Sequence, residues 1–86
     1  KRCWGLNLWG NNFTHRSMPL LANALRNKNY LEELDLSRNN IGDEGVRLLC
    51  EGLTTNRCLE ELDLSENGLT DESVRHLIRL LQRETG

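Results

Sequence analysis

Glu33 and Asp35 return as Glu61 and Asp63, 28 residues later, inside near-copies of one run, LEELDLS. Glu32, Glu60 and Glu66 stand beside them, with Arg38 as the neighbouring base. Carboxylates repeated this regularly could draw in a basic partner through their summed field. Catalysis asks for more: a convergent nucleophile, base and oxyanion donors. The sequence shows no such set and no phosphate-binding glycine loop. Zinc needs clustered ligands, whereas Cys3, His15, Cys50, Cys58 and His76 are scattered along the chain. We therefore expect no enzyme activity, no metal and no cofactor. Three cysteines, an odd number without a Cys-x-x-Cys pair, fit reduced thiols better than a disulfide framework.

The elements that must position these carboxylates follow from an internal period. LEELDLSRNNI (Leu31–Ile41) recurs as LEELDLSENGL (Leu59–Leu69), and a degenerate copy, CWGLNLWGNNF, stands at Cys3–Phe13. At a 28-residue offset the core columns read Cys3/Leu31/Leu59, Leu6/Leu34/Leu62, Leu8/Leu36/Leu64 and Phe13/Ile41/Leu69. The second half aligns as Met18/Val46/Val74, Leu21/Leu49/Leu77, Ala22/Cys50/Ile78 and Leu25/Leu53/Leu81. In the first half L-x-L alternates, which predicts a short strand with one buried face. In the second, apolar residues recur at helical spacing and predict a helix of roughly three turns. Thr70 is placed to cap the third helix, with Asp71 and Glu72 in its first turn. Pro19 predicts that the first helix begins late, near Ser17.

Neither half can bury its apolar face alone. Setting the units side by side, strand by strand and helix by helix, solves this with leucines between the layers. The helical return makes the sheet parallel. Helices are wider than the ~4.8 Å strand spacing, so the strand side should curve inward. Asn11, Asn39 and Asn67 fall where the chain leaves each strand; an amide there can bond to neighbouring turns, and we expect a structural asparagine ladder. A net charge of −2 gives no case for nucleic acid or membrane, and no apolar run approaches the ~20 residues that span a bilayer. The chain opens Lys1-Arg2-Cys3-Trp4-Gly5 without a signal peptide. Asn12-Phe13-Thr14 fits a glycosylation acceptor, a triplet that also arises by chance.

The pattern L-x-x-L-x-L-x-x-N-x-(I/L), followed by V-x-x-L-x-x-x-L, resembles a leucine-rich repeat over Cys3 to Leu81. The 28-residue period with a full helix is similar to the ribonuclease-inhibitor-like subclass. The run LDLSRNNIGDEGVRLLCEGL is most similar to the C-terminal repeats of NOD-like receptors, cytosolic sensors of innate immunity. Ribonuclease inhibitor, Ran GTPase-activating protein and actin regulators related to tropomodulin share the motif. The uniform period and the constant Asn set this chain apart from the inhibitor itself. The resemblance implies an α/β solenoid, with parallel strands on the concave face and helices on the convex face. Residues 1–86 would form one domain of three repeats (3–30, 31–58, 59–86), a piece of a longer cytoplasmic array. It further implies a protein-binding module working through the concave wall. The alternatives are an inhibitor of a basic enzyme, or a GTPase- or actin-regulatory protein.

On that wall the outward strand positions are Gly5, Asn7 and Trp9, then Glu33, Asp35 and Ser37, then Glu61, Asp63 and Ser65. The partner-binding residues expected from this are Trp4, Trp9, Glu33, Asp35, Arg38, Glu61, Asp63 and Glu66. The partner is a protein, a basic one if the acids are used, or another domain of the same chain. Solvated acids are also ordinary on an exposed sheet, and Trp4 and Trp9 would equally pack on a preceding repeat. Three strands of ~17 Å at ~4.8 Å spacing present roughly 250 Å², against the about 800 Å² per partner of a standard interface. This too favours a wall continued by further repeats.

Overall fold

The computed structural model describes residues 4–26 and 31–82. The expected core position at Cys3 lies outside them. Each L-x-L run forms a strand: β1 (Trp4–Asn7), β2 (Leu31–Asp35) and β3 (Glu61–Asp63). They make one parallel sheet in the order β1-β2-β3. Pairing continues past the strand ends, where Leu8 N–H donates to Asp35 O (2.8 Å) and Leu36 N–H to Asp63 O (2.9 Å). Each strand is followed by a helix: α1 (Met18–Leu25), α2 (Gly42–Leu53) and α3 (Asp71–Gln82). α1 packs on α2 and α2 on α3.

The core lies between sheet and helices. Leu34, Leu36, Ile41, Val46, Leu49 and Leu53, all from the middle unit, are buried in it, with Met18 and Leu25 from α1. The aligned columns do not stay buried in the last unit. Equivalence breaks down along α3: Leu53 is 1% exposed, whereas Leu81, in the same column, is 71% exposed. Val74 and Ile78 are likewise exposed, and Leu80, which the alignment did not single out, is buried instead. The cause is positional. A helix buries one stripe against the unit before it and a second against the unit after it, and no described residue covers α3 on its far side.

The helix starts follow their capping chemistry. Thr70 accepts from Glu72 N–H at 3.2 Å, as a residue at the head of α3 should. α1 begins at Met18 with Pro19 in its first turn, but Ser17 makes no side-chain cap. Instead a short 3₁₀ turn, His15–Ser17, precedes α1, and Thr14 accepts from Arg16 N–H at 3.2 Å.

Asp43, in the first turn of α2, clasps the next unit. Its carboxylate accepts from Thr70 N–H (2.9 Å) and from the Thr70 and Ser73 hydroxyls. Those bonds, the Ser73 hydroxyl foremost, lower the Asp43 pKa from 3.8 to about 2. On the other side of α2, Gly52 meets α1 so closely that an added Cβ would lie 2.4 Å from the Ala22 carbonyl oxygen.

Two outcomes test this arrangement. Leu53→Ala should lower unfolding free energy by about 2–5 kcal/mol, and Leu81→Ala by no more than about 0.5 kcal/mol, in urea titrations. Asp43 is depressed in the folded state, so its contribution is complete above about pH 4 and fades as pH falls toward 2. Asp43→Asn should lower the melting temperature at neutral pH and flatten its fall across that acid window.

Candidate interaction surface

β2 and β3 run in register, so Glu33 stands level with Glu61 and Asp35 with Asp63. Gly5 and Asn7 of β1 extend the same two rows. Above the strands lies a hollow of about 770 Å³, bordered by Glu33, Asp35, Glu60, Glu61 and Asp63. Four of the predicted residues are thereby brought together. Glu60, recognised in the sequence only as a flanking acid, joins them.

The carboxylates are not equivalent. Asp35 accepts from the Ser37 N–H (2.9 Å) and hydroxyl (2.6 Å). Asp63 does the same with Ser65, at 3.0 and 2.7 Å. The Ser65 hydroxyl, then its N–H, holds the Asp63 carboxyl below its usual value. Asn7 accepts from Trp9 N–H at 2.9 Å. This is the Asx-turn bond, made by Asp or Asn to the backbone two residues on, and the D-x-S spelling carries its signal. Ser37, expected to face outward, is buried; its hydroxyl turns back onto Asp35. Glu33, Glu60 and Glu61 are the acids of the hollow that make no such bond and no ion pair among the described residues.

A second row follows the strand exits. The Arg38 guanidinium lies over the Trp9 ring, 5.8 Å from its centroid, and its Nε is 3.2 Å from Glu66 Oε2. Gly10, Arg38 and Glu66, one column of the alignment, share a left-handed backbone with φ of +66°, +56° and +56°. The two non-glycine residues adopt a conformation that costs an L-residue about 1–2 kcal/mol. Both contacts of Arg38 are exposed, so each is worth roughly 1 kcal/mol or less. Trp4 and Trp9 are each 53% exposed. Trp4 departs from the expected column: the ladder shifts between Trp4 and Gly5, pairing Trp4 with Leu31 instead of Glu32. One residue of β2 is thus left over, in the manner of a bulge.

The asparagines reach back to the preceding unit. Asn39 Oδ1 accepts from Asn11 N–H (2.9 Å) and Phe13 N–H (3.0 Å), while its Nδ2 donates to Leu8 O and Leu36 O. Asn67 Oδ1 accepts from Ile41 N–H (3.1 Å), and its Nδ2 donates to Leu36 O (2.8 Å) and Leu64 O (3.1 Å). Asn67 is buried and Asn39 half-buried. Asn11 is exposed, and its Nδ2 reaches Trp9 O at 3.2 Å.

A family model described as leucine rich repeat matches residues 27–50 and 55–77, more than half of the 86 residues. The chain belongs to the leucine-rich repeat family. No curated protein matches it. Leucine-rich repeats are typically non-enzymatic modules that bind other proteins. The parallel sheet backed by helices fits the α/β leucine-rich repeat fold. Among the described residues, no three His, Cys, Asp or Glu side chains gather so as to hold a metal. Cys50 is buried, which pushes its thiol up to about 11 and leaves it a poor nucleophile. No described helix is long and apolar enough to cross a membrane.

Burial ranks the three asparagines of this leucine-rich repeat chain. Asn67→Ala should destabilise by about 1–3 kcal/mol, Asn39→Ala comparably or less, and Asn11→Ala by the least. Equal losses in chemical denaturation would contradict the bonding described above.

Proposed function

We propose that the chain is a protein-interaction segment that binds a basic partner across its acidic strand wall. The observation carrying this is the hollow over the sheet, with Glu33, Glu60 and Glu61 turned to it and unpaired among the described residues. Like charges set level on adjacent strands repel by some tenths of a kcal/mol. A basic partner relieves that repulsion and is steered in by the same field. Asp35 and Asp63 add charge while tying down the strand exits. Trp4, Trp9, Arg38 and Glu66 supply the flanking contacts, exposed Trp and Arg being frequent interface anchors.

The similarity of LDLSRNNIGDEGVRLLCEGL to NOD-like receptor repeats supports a finer reading. In it, the chain is part of a three-repeat or longer solenoid in the ligand-sensing or autoregulatory region of a cytosolic innate-immune receptor. Its repeats would stack on further repeats, and its partner would be a foreign basic protein or another domain of the same polypeptide. The unpaired thiols of Cys50 and Cys58 are consistent with a reducing cytoplasm.

A lysine-rich decapeptide, with a glutamate-rich one as control, probes the wall by isothermal titration. The triple variant Glu33→Lys, Glu60→Lys, Glu61→Lys should lose at least about tenfold in affinity for the lysine peptide, with an unchanged far-ultraviolet spectrum. Asp35 and Asp63 are left intact because their backbone bonds would confound the reading. Equal affinity of wild type and variant would reject the acidic wall as the binding surface.

A further inference from the structure

The two end faces of the stack are complementary in detail. On the far side of α3, Val74, Ile78 and Leu81 are exposed, and a hollow of about 370 Å³ opens between Leu59, Leu62, Leu64, Leu77 and Leu81. One unit earlier, the same columns (Val46, Cys50, Leu53) are buried, and α2 is covered by α3. Asp71 occupies the Asp43 column. Whereas Asp43 accepts from Thr70 and Ser73, Asp71 has no partner among the described residues.

The opposite face carries what Asp71 lacks. Thr14 and Ser17 fall in the columns of Thr70 and Ser73. Their local geometry is also the same. Thr14 accepts from Arg16 N–H as Thr70 does from Glu72 N–H, both at 3.2 Å. Ser17 N–H donates to Thr14 O at 3.1 Å, and Ser73 N–H to Thr70 O at 3.0 Å. Neither the Thr14 nor the Ser17 hydroxyl donates to a described residue. Beside them Leu20 is 77% exposed, and Leu8, Phe13 and Leu21 line a second hollow, of about 330 Å³. Asn11, in the column of the asparagines that reach back, has its Oδ1 free among the described residues.

We propose that the face beyond α3 binds the β1–α1 face of a second copy of this chain, head to tail, with Asp71 of one copy clasping Thr14 and Ser17 of the next. The contact repeats the internal α2–α3 junction at the same translation. It brings Val74, Ile78 and Leu81 against Leu20 and Leu21, and it offers the Leu69 N–H to Asn11 Oδ1. Being heterologous, it leaves one unused face at each end and allows chains longer than a dimer. The inference rests on the side-by-side packing of the units and is independent of the acidic wall.

Sedimentation velocity on the 86-residue chain tests it, at concentrations up to about 1 mM. Average mass should rise with concentration through dimer and larger species. Ile78→Glu disables one face and Leu20→Glu the other, both at exposed positions. Each variant alone should be monomeric, and their equimolar mixture should give a dimer and nothing larger. Asp71→Ala, and Ser17→Ala, which removes no local cap, should each weaken association by at least about tenfold. A wild-type chain that stays monomeric would overturn the proposal and leave the face to another coil of the same polypeptide. Self-association of either glutamate variant alone would point to a symmetric contact and overturn it as well. So would a mixture that remains monomeric while the wild type associates.

Discussion

Every unit of this chain leaves polar and apolar groups that its own 28 residues cannot satisfy, and the neighbouring unit satisfies them at a fixed translation. The clearest case is the turn after each strand. There the N–H groups of Asn11 and Phe13 find their acceptor in Asn39, and the N–H of Ile41 finds its acceptor in Asn67. A buried amide N–H without a partner costs about 1–3 kcal/mol, so the register between units is set by hydrogen bonding as well as by leucine packing. Asp43 makes the same kind of bond at the head of the helices. Strand level, turn and helix start are thereby fixed together.

That register is what turns a sequence motif into a surface. Because Glu33 is level with Glu61, acids separated by 28 residues face the same solvent hollow. The aspartates two residues on have a double part. They contribute charge, but their oxygens are already engaged by Ser37 and Ser65. The glutamates are thus the acids left to meet a partner, while the aspartates keep the strand exits in shape.

Much of this was legible in the residues. Alternating leucines and the helical spacing that follows them gave the strand–helix order and the inward face of the middle unit, because both periodicities are imposed by local backbone geometry. Pro19 marked the late start of α1, and Thr70 the head of α3. The exposure of Val74, Ile78 and Leu81 was hidden, because a column identifies residues that face a neighbour without saying whether one is present. The burial of Ser37 and the role of Asp43 were missed for a different reason. Both depend on where a short polar side chain points, and periodicity in apolar residues carries no information about that. Trp4 was misplaced because a one-residue shift in the ladder leaves no trace in an alignment at constant offset.

The near-contact at Gly52 bears on curvature. Gly52 lets α1 come down onto the backbone of α2, whereas Leu80, in the same column one unit later, props α3 away from α2 with a full side chain. Separating helices on the outside of an arc bends the strands more tightly on the inside. The bend should therefore be uneven, shallow between the first two units and sharper between the last two. The radius of the strand wall, and with it the width of any ligand it can embrace, is then governed from the opposite side of the molecule by the bulk of one small residue.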